Sequence, residues 1–137
     1  MSKPISVRVI ERAIELIEDR KRWTMSAEAM REDGSLTHVF EPDAVKFCMN
    51  GAVKRAAYEL TAEDKIAATD LANKVIDELH RFVMVQTKGA SVAHVNDDRE
   101  LGKGRGWRKQ ISLAAASRRN HPRVLKLLRE FVTVMES

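Results

Sequence analysis

The chain has 137 residues, 44% hydrophobic and 32% charged, with one cysteine and a formal net charge of +4. A single domain of this length buries about two-thirds of its unfolded surface without staples, and one cysteine excludes an internal disulfide, which fits a reducing compartment. The N-terminus reaches a charge before any apolar stretch of signal-peptide length, and no later run approaches the ~18 uncharged residues of a membrane span, so a cytoplasmic location without membrane contact is expected.

Ile10, Ala13, Ile14 and Ile17 repeat at i, i+3, i+4 and i+7, with Glu11, Arg12, Glu15, Glu18 and Asp19 on the other faces. The pattern predicts a helix from about Ser6 to about Lys21. Beyond Trp23 the helical period disappears. Asp33-Gly34 lies between two short segments within Thr24 to Phe40, and Asp-Gly supplies the positive φ angles of a tight turn, so a small hairpin is expected there. Glu41-Pro42-Asp43 reads as a helix start. Pro has a preset φ and no N–H to leave unpaired in the first turn, and Asp opposes the positive end of the dipole. This second helix is expected to reach about Leu60. Thr61 and Asp64 resemble a capping box that opens a long third helix. Its stripe is Ala68, Leu71, Ala72, Val75, Ile76, Leu79, Phe82 and Val83, and Gly89 supplies its stop.

Ser91 to Val95 fits a short strand or a last helical turn equally well. Arg99 to Gly106 holds three glycines and four charges and is expected to be a mobile loop. A shorter helix carrying Trp107, Ile111 and Ala114 follows. Asn120-His121-Pro122 is expected to break it and start the last helix, in which Leu125, Leu128, Phe131, Val132 and Met135 form one face. The expected architecture is a mainly α, compact single domain over residues 1–137, with about five helices and a small β-hairpin after the first.

Charge is unevenly distributed. Residues 99–137 hold 10 Lys/Arg against 3 Asp/Glu, whereas residues 1–98 hold 14 against 17. Within the basic third, Lys103, Arg105, Trp107, Arg108, Lys109, Arg118 and Arg119 are the candidate binding residues, continued by Arg123, Lys126 and Arg129. Such cations attract an acidic protein surface or nucleic acid phosphates, and Trp107 suits either a stacked base or the core. No helix-turn-helix, RNA-recognition or zinc-finger pattern accompanies them. Gly102, Gly104 and Gly106 form neither a P-loop nor a dinucleotide-binding turn, so no cofactor is expected.

Cys48 is expected on the second helix beside Ala44, Gly51 and Ala52, as a small hydrophobe in a tight contact. The competing reading pairs Cys48 with His94, oriented by Asn96 or Asp97, as a small cysteine-dependent hydrolase attacking an acyl or isopeptide carbonyl. Asn96, Asp97 and Asp98 lack the spacing of a calcium loop, and no second Cys or close His pair completes a zinc site, so no metal is expected. Asn and Asp there read as caps of backbone N–H groups.

The clusters Phe47-Cys48-Met49-Asn50-Gly51-Ala52 and His94-Val95-Asn96-Asp97-Asp98 carry one further signal. With a first helix ending near a Trp and a last amphipathic helix, they resemble the signature of small bacterial and bacteriophage proteins of unknown function: a Cys-x-x-Gly-Ala helix followed by an Asn-Asp element. The resemblance covers about Val7 to Asp97 and the last helix, implies a fold rather than an activity, and makes Arg99 to Arg119 an addition to the shorter pattern. His94-Val95 stand where the family often has a bulky aromatic, which argues against a family role for His94. The resulting expectation is a non-enzymatic macromolecule-binding protein, a phage-associated inhibitor or regulator, that meets an acidic protein surface through its basic C-terminal third. Nucleic-acid binding and the hydrolase are the alternatives.

Overall fold

The computed structural model describes residues 3–25, 27–86 and 107–136, with side chains for 3–25, 27–82 and 120–136. Its elements are α1 (Ile5–Ile17), a 3₁₀ turn (Arg20–Arg22), β1 (Ala29–Met30), β2 (Lys46–Phe47), α2 (Met49–Leu60), α3 (Lys65–Gln86) and α4 (Trp107–Glu136). The chain is mainly helical, and a two-stranded antiparallel hairpin follows the first helix, pairing Ala29 with Phe47 and Met30 with Lys46. No helix among the described residues is long and apolar enough to cross a membrane.

The apolar stripe of α1 is the buried one, with Val9, Ile10, Ala13 and Ile17 fully inaccessible. The helix stops short of Lys21 because Asp19 adopts an extended conformation and its carboxylate accepts the Lys21 N–H at 2.9 Å. The resulting tight turn brings Trp23 into the core, 5% exposed.

Asp33-Gly34 makes the predicted reversal. Gly34 has φ +87° and donates to Arg31 O, while the Arg31 N–H donates to Ser35 O, each at 2.9 Å. The Ser35 hydroxyl, and then its N–H, hold the Asp33 carboxyl below the usual carboxylate range. The returning segment forms only a bridge from Leu36 to Met30. The second strand comes from further along the chain, out of the segment expected to open the second helix. Val45 donates to Met30 O and Thr24 donates to Phe47 O, both at 3.0 Å. These bonds draw residues 45–47 into the sheet, which suits β-branched Val45 and aromatic Phe47. Pro42 lies in the preceding turn, and α2 starts only at Met49.

Between α2 and α3, Ala62 and Glu63 take left-handed φ values of 55° and 61°. The cap of α3 is Asp64 rather than Thr61: its carboxylate accepts the N–H groups of Ile66 at 3.0 Å and Ala67 at 3.1 Å. The Thr61 hydroxyl instead donates back to Ala57 O at 2.8 Å. Along α3 the expected stripe is buried at Ala68, Ala72, Val75 and Leu79, with Leu71, Ile76 and Phe82 packed at its margin. The Val83 side chain, Gly89, Ser91–Val95 and Arg99–Gly106 lie outside the described residues.

The break expected at Asn120-His121-Pro122 does not occur, and α4 runs unbroken through Pro122. Proline deletes one helical hydrogen bond. That loss is offset here by burial of Val124, Leu125, Leu128 and Phe131 on the following turns and by an anchor at His121. The His121 ring is 7% exposed, its Nε2 donates to Ile17 O at 2.6 Å, and it lies 5.3 Å from the Trp23 ring. It therefore satisfies a carbonyl in the last turn of α1, where helices leave acceptors unpaired. Helix α2 packs between α1 and α3, α4 covers α1, and Phe131 meets Phe82 edge-on at 5.6 Å. All these elements share one core.

Candidate functional site

Of the residues proposed from sequence, His94, Asn96, Asp97, Asp98, Lys103 and Arg105 lie outside the described residues. Trp107, Arg108, Lys109, Arg118 and Arg119 belong to the first half of α4. Positions 108, 119, 123 and 126 are separated by 11, 4 and 3 residues, spacings that return to one face of a helix with 3.6 residues per turn. In the second half of α4 that face is open: Arg123, Lys126 and Arg129 are exposed, while Val124, Leu128 and Phe131 enter the core from the opposite side. Glu130 shares the exposed side, 3.9 Å from Lys126.

Cys48 does not sit on a helix face with Ala44. It is the N-cap of α2, buried, and its Sγ accepts the Gly51 N–H at 3.3 Å. Gly51 is required by contact rather than by backbone angle. A Cβ at that position would lie 1.8 Å from Glu28 O. The Glu28 carboxylate also pairs with Lys54 on the next turn of α2, and Ala52 is fully buried. Cys48, Gly51 and Ala52 thus act as one packing unit: a cap, a close approach to the segment entering β1, and a core contact.

A second feature was not anticipated from the sequence. Helices α1 and α2, the 3₁₀ turn and the entry to β2 enclose a cleft of about 300 Å³. Arg12, Arg22 and Arg55 line it with Glu15 and Glu59, together with the apolar residues Leu16, Val45 and Phe47. Arg12 donates to Glu59 Oε1 through Nε at 3.2 Å and Nη2 at 2.9 Å, and to Glu15 through Nη1 at 3.0 Å. The bond to Glu59 is the main reason its guanidinium is held above its ordinary value, with partial burial acting against it. Arg55 is more firmly placed. Its side chain is 17% exposed, its Nη1 donates to Val39 O at 3.0 Å and Glu41 O at 2.7 Å, and its guanidinium lies 5.9 Å from the centre of the Tyr58 ring. Its Nε is 3.8 Å from Glu59 Oε2. The Arg22 side chain has no hydrogen-bond or ion-pair partner among the described residues.

The sequence shows only Arg12 with Glu15 and Arg55 with Glu59, spacings that ordinarily mark solvated ion pairs on a helix surface. Among the described residues, no three His, Cys, Asp or Glu side chains come together in a way that could hold a metal ion. Neither the curated proteins nor the solved structures contain a match to this chain. The model of a family of unknown function, DUF6197, matches residues 1–132, and the chain belongs to that family.

Proposed function

We propose that this protein is a non-enzymatic binding protein that meets an acidic protein surface through its basic C-terminal third. The observation that supports this reading most is the division of α4 into two sides. One side enters the core through Val124, Leu128 and Phe131, and Arg123, Lys126 and Arg129 are exposed on the other. Arg123, Lys126 and Arg129 recur every three residues along the exposed side of this stretch, forming a row rather than a point.

The acidic-protein reading is preferred over nucleic acid because Glu130 lies among the cations. A carboxylate there opposes a uniform row of phosphates, whereas a protein partner can meet it with a cation of its own. The hydrolase reading loses support because Cys48 is buried and its sulfur already accepts a backbone N–H; a nucleophilic thiol needs an open approach and an activating base. The bacteriophage setting, as an inhibitor or regulator, is part of the same proposal and rests on the sequence resemblance.

The test is fluorescence anisotropy with labelled poly-L-glutamate, as a stand-in for an acidic protein surface, and with labelled single-stranded and duplex oligonucleotides. Saturable binding to poly-L-glutamate that weakens with added salt, and is no weaker than binding to the oligonucleotides, supports the proposal. Oligonucleotide binding about tenfold tighter at physiological salt would replace it with the nucleic-acid reading. Absence of binding to every probe leaves the helix face merely solvated.

A further inference from the structure

We propose that the arginine-lined cleft between α1, the 3₁₀ turn and α2 is a binding site for a small monocarboxylate with an apolar body. This is independent of the surface on α4. The charge count is the first reason: Arg12, Arg22 and Arg55 face Glu15 and Glu59, leaving a single surplus positive charge. A monoanion balances that surplus. A dianion such as phosphate would place excess negative charge against two carboxylates.

The donors are the second reason. Arg55 is fixed before any ligand arrives, because Nη1 is consumed by Val39 O and Glu41 O while Nε faces Glu59. Its Nη2 has no partner among the described residues, and neither does the fork of Arg22. The open fork of Arg22 matches the two oxygens of a carboxylate, and Arg55 Nη2, held in place beforehand, adds a further donor at little entropic cost. Arg12 does not compete for this role, since Nε and Nη2 serve Glu59 and Nη1 serves Glu15.

The apolar lining is the third reason. Half-buried Leu16 and Val45 line the same space of about 300 Å³, the lower end of the range of small-molecule pockets. Arg22 is an exposed residue of the 3₁₀ turn that supports no other element through its side chain.

The experiment titrates the full chain with 3-phenylpropionate by isothermal calorimetry and amide chemical-shift mapping, with 3-phenylpropionamide and inorganic phosphate as comparators. The expected result is saturable binding of the carboxylate, with shifts around Arg22, Val45 and Arg55. Arg22→Gln should weaken it about tenfold. Arg22→Lys should fall between these two, and Arg129→Gln on α4 should leave it unchanged. The folded state of each variant is checked by far-UV circular dichroism. The proposal is overturned if the amide binds as tightly as the acid, if phosphate binds more tightly than the carboxylate, if Arg22→Gln has no effect, or if saturation is not approached by about 10 mM.

Discussion

Replacing Gly51 with alanine puts the packing of the Cys-x-x-Gly-Ala segment to a sharp test. On helix propensity alone Gly51→Ala should stabilise the protein by about 1 kcal/mol, since glycine is that much poorer in a helix interior. The structure reverses the sign. The new methyl would stand 1.8 Å from Glu28 O and 2.7 Å from the Glu28 carbonyl carbon, whereas real contacts of this kind do not fall below 3.0 Å. Both neighbours are backbone, so no side chain can swing aside. Helix α2 and the entry to β1 must separate by more than about 1 Å, which disturbs fully buried Ala52 and Val53 beside it. Overpacking of a tight core costs roughly 1–3 kcal/mol, and a clash with backbone that cannot swing aside falls in the upper part, about 2–3 kcal/mol, which outweighs the propensity gain. A net loss of about 1–2 kcal/mol corresponds to a fall in Tm of roughly 3–10 °C for a domain of this size. Urea and thermal unfolding followed at 222 nm measure it. A neutral or stabilised Gly51→Ala protein would refute the close approach of Glu28 to α2.

Three other perturbations separate the roles assigned above. Cys48→Ala removes the acceptor for the Gly51 N–H and should cost about 1 kcal/mol, while Cys48→Ser keeps a cap and should lose less; both are read from urea midpoints. The native thiol should also react with a thiol reagent far more slowly than the thiol of urea-unfolded protein. His121→Phe preserves ring volume but leaves Ile17 O without the Nε2–H donor, and should destabilise by roughly 1–3 kcal/mol in chemical denaturation. Ala62→Gly relieves a left-handed residue at φ 55° and should raise Tm, by roughly 0.5–1 kcal/mol of stability; a drop in Tm would contradict the strain assigned to that turn.

Burial was legible wherever it imposed a period. The stripes of α1, α3 and α4 follow the apolar repeat because each helix has one face in the common core, although Met135, expected on that of α4, is exposed. Element boundaries were less legible when they depended on distant partners. Val45 and Phe47 join the sheet because of hydrogen bonds to Met30 and Thr24, and nothing local to Pro42 announces them. Pro122 failed as a stop signal for the same kind of reason, because packing of Val124 and Leu128 and the contact from His121 to Ile17 oppose the local preference. The basic character of the last third was readable from composition, and the periodic alternation of Arg123, Lys126 and Arg129 with Leu125, Leu128 and Phe131 already implied a two-sided helix. The cleft was not readable. Its key contact, Arg12 to Glu59, joins residues 47 apart in sequence, and it exists only because α1 and α2 pack together.

Charge reversal on α4 tests most directly whether its exposed side is a binding surface. The triple variant Arg123→Glu, Lys126→Glu and Arg129→Glu changes three exposed residues and leaves the buried side of the helix intact. It should retain helical circular dichroism while losing affinity for labelled poly-L-glutamate by at least about tenfold at low salt, and the affinity of the unmodified chain should itself decline as the screening length shortens to about 8 Å at physiological ionic strength. Equal binding by the variant and the unmodified chain, at both low and physiological salt, would contradict the assignment of this face as the interaction surface.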